Sequence, residues 1–370
     1  MRRLALPAAA PALLVLIYLA AWPVSVVPVA WTPPASPGYR GTYAANTELA
    51  AAERIDVGGE GPEDVAVGPD GAVFAGLRDG RIVRLDPQTH RAATFAETGG
   101  RPLGLRFHPD GRLLVADAER GLLAVAPDGS VTVLVSEHAG RPLRLTDDLD
   151  VARDGTVYFS VASDRFAVDD SIADVLEHRA TGRLFAYDPG ARYTKVLLEG
   201  LCFANGVALA PDESYVLVAE TACYRVRRLW LRGERAGASE VVLDGLPGFP
   251  DGILGDGEGT FWLTLVSPRN ALLDALHPHP ALKKALARLP AAMRPGPKAY
   301  GMVVALAGDG RVLGTLQDPD GKNVAFVTNA VPSGSWLYLG MLKGRAVARL
   351  PRPARYSSPM TPKSTEPASR

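Results

Sequence analysis

The sequence predicts an all-β fold, a six-bladed β-propeller, and three observations carry the prediction. A short hairpin, two apolar runs around a turn, recurs six times as VAVGPDGAVFAG, LRFHPDGRLLVAD, DVARDGTVYFSV, VALAPDESYVLVAE, ILGDGEGTFWLTL and AVPSGSWLYLGM. The turns, at Gly71, Gly111, Gly155, Glu213, Gly259 and Gly334, are spaced near the period of four-stranded blades, with two longer intervals that read as insertions. A spare strand near the start, Glu53 to Val57, matches a missing one after Arg345 to Leu350 at the end, so exchange closes the ring and removes the open edges that invite aggregation.

Along the chain, Arg2 and Arg3 precede an apolar run from Leu4 to Trp31, long enough to cross a hydrocarbon core of ~30 Å. Residues 1–31 are therefore expected to form an uncleaved N-terminal transmembrane helix, a signal anchor that leaves the propeller on the extracytoplasmic side. A long cleaved signal peptide is the alternative, since Pro11 and Pro23 interrupt a continuous helix. Residues 32–43, rich in Pro, Gly, Ser and Thr, read as a linker; 44–350 as the propeller; and 351–370 as a flexible tail.

The insertions are expected at 164–181 in the third blade and 267–298 in the fifth, where LLDALHPHPALKKALARL has helical spacing. The latter mixes Leu272, Leu273, Leu276, Leu282, Leu286 and Leu289 with Lys283, Lys284 and Arg288. Such an amphipathic element can cover the channel mouth and favour apolar substrates, dock on a bilayer, or pack against the blades. With 40 basic and 40 acidic residues, the formal net charge of zero gives no electrostatic case for a nucleic-acid partner. At 370 residues and 47% hydrophobic content, the chain can bury a large core.

Counting back eight positions from each turn reaches the start of the innermost strand, which lines the channel, at Glu63, Leu103, Asp147, Asn205, Asp251 and Phe326. Four of the six carry oxygen-bearing side chains at the same phase of the repeat, so they converge on the axis at one end. Converging carboxylates cannot share a buried site unless protonated or bound to a cation, and an all-oxygen set suits Ca2+ better than zinc. The plainer reading is that these acids cap turns or face solvent, and that the Asn205–Gly206 pair marks a turn.

The stretches GPEDVAV, LTDDLDVARDGTVYF, FANGVALAPDESYVLVAETACYRVRRLWL, LPGFPDGI and LQDPDG resemble the strictosidine synthase-like family, of the adipocyte plasma membrane-associated protein type. FANGVAL and PDG are also similar to the gluconolactonase and regucalcin (SMP-30) group. That resemblance implies a six-bladed propeller binding a divalent cation through Glu63, Asn205 and Asp251; Asp147 stands where relatives commonly have asparagine, as a ligand or a substrate contact. The implied activity is calcium-dependent hydrolysis of small-molecule lactones or aryl esters, with the ion polarising the carbonyl and a carboxylate activating water. Asp251 is the first candidate base and Asp148 the reserve, although Asp148 can equally fix its loop by accepting backbone N–H groups. The plant amine–aldehyde condensation of this family depends on a glutamate in the final blade, where NVAFVTNAVPSGSWLYLG offers only Thr328, which disfavours that reaction. A non-catalytic, calcium-stabilised propeller for binding or scaffolding is the other alternative, against which the polar channel counts.

Other candidates carry less. His108 lies in a hairpin turn and His277 in the inserted helix, and Ser160 and Ser163 lack a G-x-S-x-G elbow. Cys202 and Cys223 bracket the first hairpin of the fourth blade without zinc-site spacing; a disulfide or a pair of buried thiols both remain open.

Overall fold

The six hairpins form the inner halves of six four-stranded antiparallel sheets in a computed structural model that describes residues 6–356. Arg2, Arg3 and the tail from Ser357 lie outside the described residues. Blade 1 runs from Val65–Val67 to Ala92–Glu97, blade 2 from Pro102–Phe107 to Val131–Val135, and blade 3 from Thr146–Val151 to Tyr193–Leu201. Blade 4 runs from Ala204–Leu209 to Ser239–Leu243, and blade 5 from Gly248–Gly255 to Val312–Asp318. Blade 6 combines Val327–Ser333, Trp336–Met341 and Ala346–Pro351 with Glu53–Asp56, paired from Glu53↔Arg349 to Asp56↔Ala346. The ring thus closes by the expected exchange.

Each blade is sandwiched between two others, so its middle strands are apolar on both faces rather than alternating. Leu113–Asp117 and Gly121–Val125 are buried along their whole length, while the outermost Ala92–Glu97 is largely exposed. Aromatic rings pair across neighbouring strands within a blade, as where Phe159 stacks on its partner Phe185 at 5.1 Å.

A second set of polar residues ties the blades together near the axis. Asp64 accepts the N–H of Val65 (2.6 Å) and that of Leu105 in blade 2 (2.7 Å). Asp148 does the same for Leu149 (2.8 Å) and Val207 in blade 4 (3.0 Å), and Asp150 for Val151 (2.8 Å) and Leu209 (2.8 Å). Asn329 of blade 6 donates to Asp64 (2.5 Å), and buried Arg106 pairs with Asp64 at 2.9 Å. Each carboxylate satisfies a backbone donor that the close approach of two inner strands leaves without a ladder partner.

The helical insertions cover one end of the ring. Counting from the N-terminus, α1 is Leu6–Ala21, α2 is Ser171–Glu177, α3 is Ala271–Leu276 and α4 is Pro280–Arg288. The insertion in blade 5 is helical as expected, with Asn270 capping α3 by accepting the Leu273 N–H at 3.1 Å.

The expected transmembrane helix is not shown among the described residues. α1 has 16 residues and contains Pro11, a length of about 24 Å at 1.5 Å per residue against ~30 Å of hydrocarbon. Among the described residues no helix is long and apolar enough to cross a membrane. The apolar run does not continue as helix; beyond Ala21 it becomes an extended strap across the inserted helices. Val26 is buried against Phe166, Leu176 and Leu286, the Val29 N–H donates to the Glu177 carbonyl (3.0 Å), and that of Trp31 to the His277 carbonyl (3.1 Å). The strap continues through the segment expected as a linker: Arg269 donates to the Pro34 carbonyl (2.7 Å), and Tyr39 stacks on Tyr300 at 5.1 Å.

Candidate active site

Glu63, Asp147, Asn205 and Asp251 line a single cavity of about 450 Å3 at the helix-covered end of the channel. They enter from blades 1, 3, 4 and 5, each at the start of an innermost strand or the bend leading into it. Glycine follows Asn205 and Asp251 for a reason other than turning the chain. A Cβ on Gly206 would lie 2.4 Å from the Ile253 nitrogen and 2.5 Å from the Asp251 carbonyl oxygen, and one on Gly252 would press on the Thr328 carbonyl. The Asn-Gly pair is therefore a site of close strand approach, and the reading of it as a turn is set aside.

The sixth position is Thr328, not Phe326. Blade 6 closes its hairpin on Ser333↔Trp336, where blade 1 closes on Val67↔Val73, so counting back from Gly334 overshoots by the missing turn residues. Thr328 donates its hydroxyl to the Glu63 carbonyl (2.5 Å), whereas the Phe326 ring packs under the Lys343 ammonium at 4.5 Å. Leu103 lines the cavity from blade 2.

The acids are crowded and dry. Asp147 is 6% exposed and Asp251 8%. Burial, then the Asp251 and Glu63 charges, pushes the Asp147 carboxyl well above the usual carboxylate range. Burial and the Glu63 charge do the same to Asp251, opposed in part by the neighbouring Asn205 amide. Burial also raises Glu63, although Arg101 holds its carboxylate at 2.7 Å and offsets part of the shift. Arg101 in turn donates to the Gly61 carbonyl at 3.2 Å.

This donor set fits a hard cation: three carboxylates and an amide oxygen, with more negative charge than one guanidinium offsets. Glu63, Asp147, Asn205 and Asp251 would hold it. Among the described residues, the three carboxylates are not drawn so close that every pair of donor atoms lies within 4.8 Å.

Asp148 is not part of the cavity lining. Both its oxygens accept backbone N–H groups, Arg106 lies 3.7 Å away, and burial raises its pKa despite that neighbour. Of its two readings, the geometry carries the loop-fixing one. Ser160 accepts the Asp148 N–H (3.1 Å), and Ser163 accepts those of Arg165 and Phe166 (3.1 Å each), so both serine hydroxyls serve the backbone. His108 pairs with Asp110 in its turn (2.9 Å), and His277, fully buried under the strap, is absent from the cavity lining.

Sequence reasoning missed Arg101, which nothing in GGRPLG distinguishes from a surface arginine. It also missed the latch layer of Asp64, Asp150 and Asn329. The doubled polar pairs Glu63-Asp64 and Asp147-Asp148, one residue for the cavity and the next for the neighbouring blade, and the matching Thr328-Asn329 were the available signal. The cavity walls and roof are apolar: Phe203 and Phe249 flank the acids, while Val168 and, from α2 and α3, Ile172, Val175 and Leu272 cover them. Cys202 and Cys223 are joined in a disulfide, with Cα atoms 5.6 Å apart.

Comparisons with known proteins agree with this architecture. The strictosidine synthase family profile matches residues 147–234, and that of the strictosidine synthase-like N-terminal region matches 41–85. The adipocyte plasma membrane-associated protein of Bos taurus is 35% identical over 354 residues, spanning 89% of this chain and 84% of its own. The strictosidine synthase-like 10 protein of Arabidopsis thaliana is 36% identical over 311 residues, 76% of this chain and 83% of its own. Among solved structures, a gluconolactonase from Xanthomonas campestris superposes with a TM-score of 0.60 at 18% identity, over 90% of this chain and 99% of its own. The calcium-binding protein regucalcin from Agrobacterium tumefaciens gives 0.56 at 16% identity, over 80% and 92%. At these identities the two structures speak for the propeller fold.

Proposed function

Because the chain belongs to the strictosidine synthase-like family, we propose that it is a metal-dependent hydrolase of apolar lactones or aryl esters, acting in the cavity around Asp251. One observation carries this reading: the buried carboxylates of Asp147 and Asp251, the half-buried one of Glu63 and the amide of Asn205 converge from four blades onto the floor of a cavity with apolar walls. A structural channel could be filled with apolar side chains, whereas this one holds costly charge beside open volume.

Glu63, Asp147, Asn205 and Asp251 are the residues that would hold the cation, with Ca2+ the natural choice for oxygen donors. Bound there, it would polarise an ester carbonyl and stabilise the developing oxyanion. The chain's own groups do the rest. The Asn205 side chain lies beside Asp251 in the cavity and favours its charged form. Asp251, on the cavity floor beside Asn205, is the first candidate for taking a proton from water, and Asp147, lining the same cavity, replaces Asp148 as the reserve. Phe203, Phe249 and Leu272 exclude bulk water and favour an apolar acyl or aryl group. The blade-6 position holds Thr328, whose hydroxyl is committed to the Glu63 carbonyl, so no carboxylate there supports an amine–aldehyde condensation.

We infer that the protein works at a membrane surface, on the extracytoplasmic side. Support comes from the exposed Leu13, Leu14, Leu16 and Ile17 of α1, from Trp22 beyond it, and from a disulfide suited to an oxidising compartment. The name of the bovine relative points the same way.

The reading is tested by incubating the full chain with a panel of lactones and aryl esters and titrating the acid released. Turnover that rises with the apolar bulk of the acyl or aryl group supports it; turnover only of an amine with an aldehyde replaces it with condensation.

A further inference from the structure

Beneath the strap, outside the cavity lining, lies a cluster that the proposed hydrolysis does not use. His178 brings its Nε2 to 3.6 Å from the Cys223 sulfur. One donor atom from each of His178, Cys202 and Cys223 falls within 4.8 Å of the other two, and all three side chains are buried. His277 approaches at the end of α3, its ring centroid 5.0 Å from that of His178. Trp31 stacks on His178 at 4.1 Å and meets His277 edge-on at 5.0 Å. That stacking accounts for the faces of the rings but not for their nitrogens. Both nitrogens of His277, which is 0% exposed, and Nδ1 of His178 have no hydrogen-bond partner. Buried polar atoms without partners are rare in folded proteins, and three in one cluster point to a ligand.

We propose that, whenever the Cys202–Cys223 bridge is open, the two thiolates and His178 capture one Zn2+ ion, with His277 as the adjacent fourth donor. Two sulfurs and imidazole nitrogen are the donor set of tetrahedral zinc sites, and the fold assembles it although the sequence spacing does not reveal it: the cysteines come from blade 4, His178 from the blade-3 insertion and His277 from blade 5. The chemistry balances. A dithiol reductant gives two hydrogens to the bridge and becomes a disulfide itself, leaving two cysteine thiols. Zn2+ then displaces one proton from each thiol to solvent, and the neutral imidazole supplies a lone pair. Re-forming the bridge requires the ion to leave, so metal and disulfide are alternative occupants of one site. His178 directly follows α2, whose Ile172 and Val175 roof the cavity, so the choice of occupant also bears on the lid.

The test uses the full chain, reduced with a dithiol that is then removed under anaerobic conditions, and titrated with Co2+ as a spectroscopic probe. A thiolate-to-cobalt charge-transfer band saturating at one ion per chain, bleached by Zn2+ and absent from the oxidised protein, is expected. The channel acids give no such band, because they offer only oxygen. The double variant Cys202→Ser/Cys223→Ser should keep its sheet circular dichroism and lose the band, and His178→Ala should bind at least roughly tenfold more weakly. No band in a folded chain with both thiols counted free, a band that survives in the double serine variant, or loss of the fold on reduction would each overturn the proposal.

Discussion

Gly206 lies directly against the backbone of Asp251: a Cβ added to it would stand 2.5 Å from the Asp251 carbonyl oxygen. The contact joins the inner strands of blades 4 and 5 where Asn205 and Asp251 face the cavity. Gly206→Ala must push those strands apart, and it is expected to cost ~1–3 kcal/mol of stability and to lower kcat/KM by roughly tenfold or more, because displacement of about 1 Å at a catalytic group is that costly. Thermal unfolding and ester turnover on the same sample check both effects.

Asp147 and Asp251 have carboxyl pKa values raised above those of an unfolded chain. The sign follows from linkage: a raised folded pKa contributes stability that is fully present below the unfolded value of ~4 and is lost as pH rises through the folded one. In chelator, Asp147→Asn should therefore gain stability relative to wild type as pH rises from ~4 towards neutrality, and Ca2+ should narrow the gap by restoring the wild type. At a hundredfold excess over its Kd the ion stabilises by ~2.7 kcal/mol. Melting curves of both proteins across pH, with and without Ca2+, provide the measurement.

Arg106 is 9% exposed and lies between Asp64 at 2.9 Å and Asp148 at 3.7 Å. Arg106→Met leaves those carboxylates buried without a cation, and a loss of ~3–5 kcal/mol is expected. Urea unfolding should show it as a lower midpoint with an unchanged slope; a loss below ~1 kcal/mol would mean that backbone N–H groups alone sustain the latch.

Arg101 competes with any cation for Glu63, which it holds at 2.7 Å. Arg101→Gln is expected to tighten Ca2+ binding, on the order of tenfold, since the charge-assisted bond it removes is worth ~1.5–3 kcal/mol. Calorimetric titration of wild type and variant decides the sign.

The repeat period and turn residues made the ring and its closure readable, because strand alternation and turn chemistry are local properties of the chain. Four cavity residues were readable because they share one phase of that repeat. The family resemblance singled out Thr328, but counting back from the turn reached Phe326 instead, because a tighter hairpin shifts the phase in blade 6, a register fact visible only when Ser333 is seen opposite Trp336. Residues 22–31 escaped for a different reason. Burial against α2 and α4 selects the same apolar side chains as a bilayer does, so Val26 carries the same sequence signal in either place. Asp148 was ambiguous because bonding to Val207 across blades requires the same carboxylate that catalysis would.

The central claim is that the channel acids serve a cation-dependent hydrolysis, and it is tested most directly by the turnover of one apolar aryl ester by the full chain, measured with Ca2+, with chelator, and with Ca2+ restored, in wild type and Asp251→Asn. Turnover that disappears with chelator, returns with Ca2+ and is at least roughly a hundredfold lower in Asp251→Asn is the predicted result. Turnover indifferent to chelator and unchanged in Asp251→Asn would contradict it.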